Sequence, residues 1–432
     1  MFIFVFLLLF FVIIIIIIII ISTIVIVVII VVIVVIIIMS LKNKITLAAL
    51  AGIAAVASIA VYHYIKSDKK KKKQSDRVLN LPLIDFTKFF NREKDPDAYH
   101  RECMNVAEAL HKYGVCVVKD PRVSEEMNNT FLDMMERYFE GSDGVRDARP
   151  EYSYQVGVTP ENIEKPRNHC TRMGSLGPDD QPLSPCPPEF DPKWRFFWRI
   201  GPQPKKTNFP SLNADAVIPP EIPEWKDVMD MWGWKMLDAI FTFAEMAAVG
   251  FNLPADSFTS RMLEGPHLLA PTGSNYNKFG QEGRVLAGYH YDLNFLTIHG
   301  KSRFPGLNIW TREGQRTGVS IPDGCLLIQA GKQIEYLTGG HVLAGFHEVI
   351  VSSNTKKIIE EHKANGKSLW RVSSTLFGHL QSDQILEPLG HFKTPQSIEK
   401  FPAKYTGDQV RDELISISLD RGEGEVPTTV KN

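Results

Sequence analysis

Hydrophobic positions follow three rhythms along this chain. The first 38 residues are apolar without a period, broken only by Ser22 and Thr23. As one helix that run would extend about 57 Å, nearly twice a hydrocarbon core, so a tilted span or a tight hairpin fits better than a straight one. Met39 opens an alternative beginning, which leaves residues 1–38 either a membrane segment or no part of the true product. After it, Ile45 to Ile65 is uncharged and long enough to span a bilayer. Lys42 and Lys44 precede this segment, while Lys66, Lys69 to Lys73 and Arg77 follow it. The heavier basic flank predicts that the C-terminal side faces the cytosol.

From Val78 the rhythm becomes that of a folded domain. Leu79 to Phe86 reads as a short strand. Tyr99 to Tyr113 reads as an amphipathic helix with Val106, Ala109 and Leu110 on one face and Gly114 as its stop. Val115 to Val118 reads as a buried strand, and Ser124 caps a helix running to about Tyr138. Trp225 to Val249 reads as a long helix, with Met229, Trp232, Met236, Ile240, Phe243 and Ala247 at helical spacing. After Pro271 the period drops to two until about Phe377, punctuated at Gly280, Pro305-Gly306 and Pro322-Asp323-Gly324. Several short strands in one block favour a barrel or jelly roll. Between these parts, residues 150–220 hold 14 of the 27 prolines, a density that predicts extended surface connections.

Composition narrows the classes. Lys and Arg number 48 against 49 Asp and Glu, a net charge of -1, which gives no reason to expect nucleic-acid binding. The five cysteines, Cys103, Cys116, Cys170, Cys186 and Cys325, are odd in number and scattered. They read as reduced, mostly buried thiols rather than a disulfide framework. His169-Cys170 and Cys186 lack a CxxC pair and a fourth ligand, so they read as structural and not as a zinc site. Asn128-Asn129-Thr130 is a glycosylation sequon, which would report the side of the membrane on which it lies.

Candidate chemistry lies in the strand-rich block. In Gly288-Tyr289-His290-Tyr291-Asp292, the period of two turns His290 and Asp292 to one face. An imidazole nitrogen and a carboxylate oxygen can then meet one ion, although HxD alone is a weak signal. After the glycine turn at Gly339-Gly340, an apolar strand carries His347, a candidate third ligand. His341 competes but lies at the turn, and His299 has the opposite parity from His290 and Asp292. In Trp370-Arg371-Val372-Ser373, Arg371 and Ser373 share a face. A guanidinium on the inward face of an apolar strand is costly unless it meets an anion, and its fork suits a carboxylate.

In this order the elements resemble the non-haem Fe(II), 2-oxoglutarate-dependent oxygenases, in their isopenicillin N synthase-like branch. That family's signature is HxD, a distant His, then RxS. Leu81-Pro82-Leu83-Ile84-Asp85-Phe86, Tyr113 to Val118 and Asn275-Tyr276 extend the resemblance, which covers about residues 78–395. It implies a mainly β fold with flanking helices around a double-stranded β-helix (jelly-roll) core. It implies Fe(II) held by His290, Asp292 and His347, O2 at an open position, and 2-oxoglutarate bound through Arg371 and Ser373, with Tyr276 and Asn275 beside them. One departure is the 24-residue spacing from His347 to Arg371, where residues 353–363 look like a surface helix inserted in a hairpin.

The expected organisation is an apolar segment over 1–38, an anchor over 39–65 and a basic linker over 66–77. An N-terminal dioxygenase-type part then spans 78–220, helical support 221–270, the jelly-roll domain 271–400 and a tail 401–432. The expected enzyme is a membrane-anchored monomer facing the cytosol, on the endoplasmic reticulum or mitochondrial outer membrane, which oxidises a small organic molecule. Two alternatives stay open: an oxidase of the same fold that does not use 2-oxoglutarate, and an inactive, membrane-tethered binding protein.

Overall fold

The computed structural model describes Leu79 and residues 81–419. The expectations for residues 1–38, the 39–65 anchor, the 66–77 linker and the end of the tail lie outside these residues. Among the described residues, no helix is long and apolar enough to cross a membrane.

The strands are β1 (Leu83–Asp85), β2 (Val115–Lys119), β3 (Gly157–Thr159), β4 (Trp194–Arg199), β5 (Leu268–Leu269), β6 (Thr272–Asn275) and β7 (Val285–His290). They continue as β8 (Leu296–His299), β9 (Leu307–Trp310), β10 (Arg316–Gly318), β11 (Leu326–Ala330), β12 (Phe346–Ile350), β13 (Trp370–Ser373) and β14 (Thr375–Gly378). The larger sheet runs β1-β2-β11-β8-β14-β5-β4-β6-β13, with β3 beside β4, and the smaller runs β10-β9-β12-β7. The two sheets face each other. Val115, Val117 and Leu327 of the larger pack on Ile309 of the smaller, and Gln329 of β11 reaches His347 of β12. This is a sheet-rich jelly-roll core with helices outside it. Strands from residues 78–220 and from residues 271–400 are interleaved in one sheet, so the two stretches share a core.

The helices form where the local signals place them. Asp95 accepts from Ala98 N at 3.0 Å and starts the Pro96–Tyr113 helix, which Gly114 ends at φ +65°, a conformation that suits glycine. Ser124 accepts from Met127 N and starts the Glu125–Gly141 helix. Both pack on the Trp225–Gly250 helix, whose Trp225, Met229, Trp232, Met236, Ile240 and Phe243 are fully buried. Each such side chain contributes roughly 1.5–3 kcal/mol of burial. Trp232 also donates its indole N–H to Ser374 Oγ, at the junction of β13 and β14. The insert after β12 is the Ser353–Ala364 helix, with a capping box between Ser352 and Thr355.

Three expectations need correction. The Pro-rich middle is not all surface connection: β4 occupies the window between Pro192 and Pro202, is buried along its whole length and sits inside the larger sheet. A short stretch without proline is enough to restore strand pairing. Cys170 and Cys186 are joined in a disulfide, while Cys103, Cys116 and Cys325 are buried thiols. Folding of the Pro-rich chain brings that pair together, which spacing alone does not reveal. The sequon at Asn128-Asn129-Thr130 is no open glycan acceptor, since Asn128 is buried and donates to Lys301 O at 2.8 Å.

Trp232→Ala removes a large contact between the long helix and the back of the larger sheet. It should lower stability by about 3–5 kcal/mol, read as a lower urea midpoint, while the protein that remains folded binds divalent metal as before.

Candidate functional site

The smaller sheet sets the geometry of the first cluster. β7 and β12 are antiparallel, and His347 pairs directly opposite His290. Their rings lie 4.2 Å apart, centroid to centroid. The Nε2 atoms of His290 and His347 each stand 3.9 Å from Asp292 Oδ1. Ligand atoms of His290, Asp292 and His347 all lie within 4.8 Å of one another. The expected period of two does not itself produce this. β7 ends at His290, and Asp292 lies in the turn beyond it, yet its carboxylate still points to the same place.

Neighbours hold each donor in a metal-ready form. His290 Nδ1 lies 2.5 Å from Gly288 O. A carbonyl only accepts, so Nδ1 carries the hydrogen and Nε2 is left bare. Burial and the adjacent His347 push the His290 pKa well below its usual value, which keeps the ring neutral. Asp292 Oδ2 accepts from Thr297 Oγ1 at 2.7 Å. The Asp292 carbonyl accepts from Lys332 N at 2.8 Å. That approach requires glycine at 331, where a Cβ would fall 2.0 Å from Asn294 O. His347 Nδ1 lies 3.2 Å from Gly345 O and 2.7 Å from the Gln329 side-chain amide, whose Oε1 has no partner. The same Gln329 Nε2 donates to Gly345 O at 2.7 Å. A metal on His347 Nε2 requires the ring hydrogen on Nδ1, where Gly345 O can accept it. Two imidazoles and one carboxylate with room between them form the facial donor set that suits non-haem Fe(II).

The second cluster is on the larger sheet. Arg371 on β13 is 6% exposed, no acid among the described residues faces it, and its Nε has no partner. Burial lowers its pKa. Tyr276, 2% exposed, has an unpartnered hydroxyl and shares this region with Arg371. Ser373 Oγ lies 3.0 Å from Thr375 Oγ1. A buried guanidinium and a phenol with unpartnered donors fit a small dianion such as 2-oxoglutarate.

Asn275 lies at the adjoining end of β6. Its side-chain oxygen accepts from Asn277 N at 2.9 Å, capping the short Tyr276–Phe279 turn. That cap occupies the side-chain oxygen of Asn275, while its backbone pairs with Trp370, the neighbour of Arg371. Tyr276 opens that turn. His341 stays outside the site, stacked on His111 with ring centroids 4.1 Å apart.

Three residues of the site, Thr297, Gln329 and Thr375, lie outside the sequence motifs, and a fourth, His299, enters there only as a rejected metal ligand. Parity counted from His290 sets His299 aside, but residues 291–295 interrupt the strand and reset the alternation. On β8, Thr297 and His299 share a face. Thr297 touches Asp292, and His299 Nδ1 lies 3.0 Å from Thr375 Oγ1. The legible signal is the second strand's own period of two, counted from Leu296.

No protein-family model matches the chain. Among curated proteins it is similar to a 2-oxoglutarate-dependent dioxygenase of Gibberella zeae, 24% identical over 281 residues, which are 63% of this chain and 68% of that protein. It is also similar to kihadalactone A synthase LFS of Citrus sinensis, 22% identical over 366 residues, 79% of this chain and 94% of that protein. Among solved structures, a full-length Neurospora crassa protein in complex with α-ketoglutarate superposes with a TM-score of 0.60 at 16% identity, covering 78% of this chain and 97% of that one. JOX2 in complex with 2-oxoglutarate, Fe and JA gives 0.55 at 17% identity, covering 79% and 87%. The fold of the chain is that of the 2-oxoglutarate, Fe(II) oxygenases.

His290→Ala, Asp292→Ala and His347→Ala should each abolish stoichiometric binding of ferrous ion, measured by anaerobic titration, while His341→Ala should bind normally. Gln329→Leu should keep the ligands but weaken metal binding about 10- to 100-fold.

Proposed function

We propose that this chain is an Fe(II)- and 2-oxoglutarate-dependent dioxygenase acting on a small organic molecule. The observation that carries the reading is Arg371, a buried cation without an acid partner, on the sheet that faces the His290, Asp292 and His347 cluster. His290, Asp292 and His347 hold the metal. Arg371 receives the distal carboxylate of the co-substrate, with Tyr276 and Ser373 beside it. When bound, the iron with 2-oxoglutarate and O2 supplies the oxidising chemistry: one oxygen atom leaves in succinate, with release of CO2, and the other oxidises the substrate. The chain's part is to fix the two ends of the co-substrate on two opposed sheets and to keep the interior dry.

The ordered motifs and the N-terminal strands support placement in the isopenicillin N synthase-like branch. For the outcome of the reaction, hydroxylation, desaturation and ring closure are all within this chemistry. The Neurospora crassa protein has been crystallised with thymine and JOX2 with JA, which supports a small organic substrate here.

We further propose that residues 39–65 anchor the enzyme, with the catalytic part on the cytosolic side. This rests on the basic flank after Ile65.

Two measurements test these readings. Purified protein should convert 2-oxoglutarate to succinate slowly without added substrate, and Arg371→Ala should raise the apparent KM for 2-oxoglutarate about 10-fold or more while iron stays bound. Oxygen uptake with an organic substrate and no succinate would instead identify an oxidase that does not use 2-oxoglutarate. For topology, protease added to intact organelles should digest the catalytic part, and its protection would reverse the orientation. A glycan at Asn128 is a poor reporter, since that side chain is buried.

A further inference from the structure

His299 is a buried residue that neither the metal cluster nor the sequence signature uses. It lies on the inward face of β8, opposite Leu327 of β11 on one side and Thr375 of β14 on the other. Its Nδ1 is 3.0 Å from Thr375 Oγ1, which is 3.0 Å from Ser373 Oγ. Two residues earlier on the same face, Thr297 holds Asp292. The ring therefore sits between the two ends of the site, within electrostatic reach of Asp292 and His347 and of Arg371. Its Nε2 is buried and has no partner, as is true of Arg371 Nε and Tyr276 Oη. Three unpartnered polar atoms in one interior point to one missing polar ligand.

We propose that His299 Nε2–H is a further donor to the distal carboxylate of the co-substrate, beside Arg371. This rests on the 2-oxoglutarate reading above. Burial pushes the His299 pKa down to about 4, so the ring is neutral and carries one hydrogen. Two hydrogen placements satisfy the chain of Ser373, Thr375 and His299. In one, Nδ1–H donates to Thr375, Thr375 to Ser373, and Nε2 shows a bare lone pair to the cavity. In the other, Ser373 donates to Thr375, Thr375 to Nδ1, and the hydrogen sits on Nε2. A carboxylate in the cavity selects the second, because an imidazole lone pair beside an anion repels it while an N–H attracts it. Ser373 then acts through Thr375 rather than on the ligand directly.

The test uses the full-length protein loaded anaerobically with Mn(II), which binds without turnover. Calorimetry measures 2-oxoglutarate and 2-oxopentanoate, an acid of the same length without the distal carboxylate. His299→Leu should weaken 2-oxoglutarate about 10- to 100-fold, the range of one charge-assisted hydrogen bond. Affinities for 2-oxopentanoate and Mn(II) should not change. His299→Gln, which keeps a donor, should recover most of the loss, and Ser373→Ala should lose less than His299→Leu. Wild-type affinity in His299→Leu, or equal loss for both acids, overturns the assignment. If Arg371→Ala loses 2-oxoglutarate and His299→Leu does not, only the role of His299 fails. A wild-type protein that does not prefer 2-oxoglutarate over 2-oxopentanoate overturns the co-substrate reading as well.

Discussion

A guanidinium sealed inside a protein without a counter-ion costs several kcal/mol in desolvation. Arg371 is in that position, and much of the architecture arranges its surroundings. The indole of Trp232, from the long helix behind the sheet, fixes Ser374 next to β13. Phe139 stacks on Trp370, whose backbone pairs with Asn275 at the end of β6. These contacts hold the cation in place with nothing to neutralise it. A stable fold tolerates this where a ligand completes the charge balance.

The same site needs a second body at a fixed distance, and the opposed sheets provide it. The metal donors hang from the smaller sheet and the turn after β7. The anion donors hang from the larger sheet. Gln329 and Thr297 cross between them, each touching a donor of the smaller cluster from a strand of the larger sheet. A shift of either sheet would move one end of the cavity against the other, so the tight interior packing acts as the ruler for the co-substrate.

Much of this is legible in the sequence because it follows local rules. Helix ends at Gly114 and Ser124 depend on residues within a few positions of each other, and so does the pairing of Arg371 with Ser373 on one face. The place of His347 after the Gly339-Gly340 turn is readable for the same reason. What escapes depends on long-range closure. Cys170 meets Cys186 only after the Pro-rich loop folds. Asn128 is buried only because the chain at Lys301 lies against it. The place of His299 escapes for a local reason instead: residues 291–295 break the strand phase and defeat a parity count.

The interleaving of the larger sheet also dictates how the molecule is born. β2 pairs with β11, so Val115 waits for Gln329, about two hundred residues later. A ribosome releases the first strands long before their partners exist. Until then β1 and β2 present bare backbone and apolar Val and Ile side chains to water. Such non-local pairing slows folding and exposes sticky edges. The larger sheet can therefore close only when the last third of the chain has emerged, and until then its first strands stay open to wrong pairings.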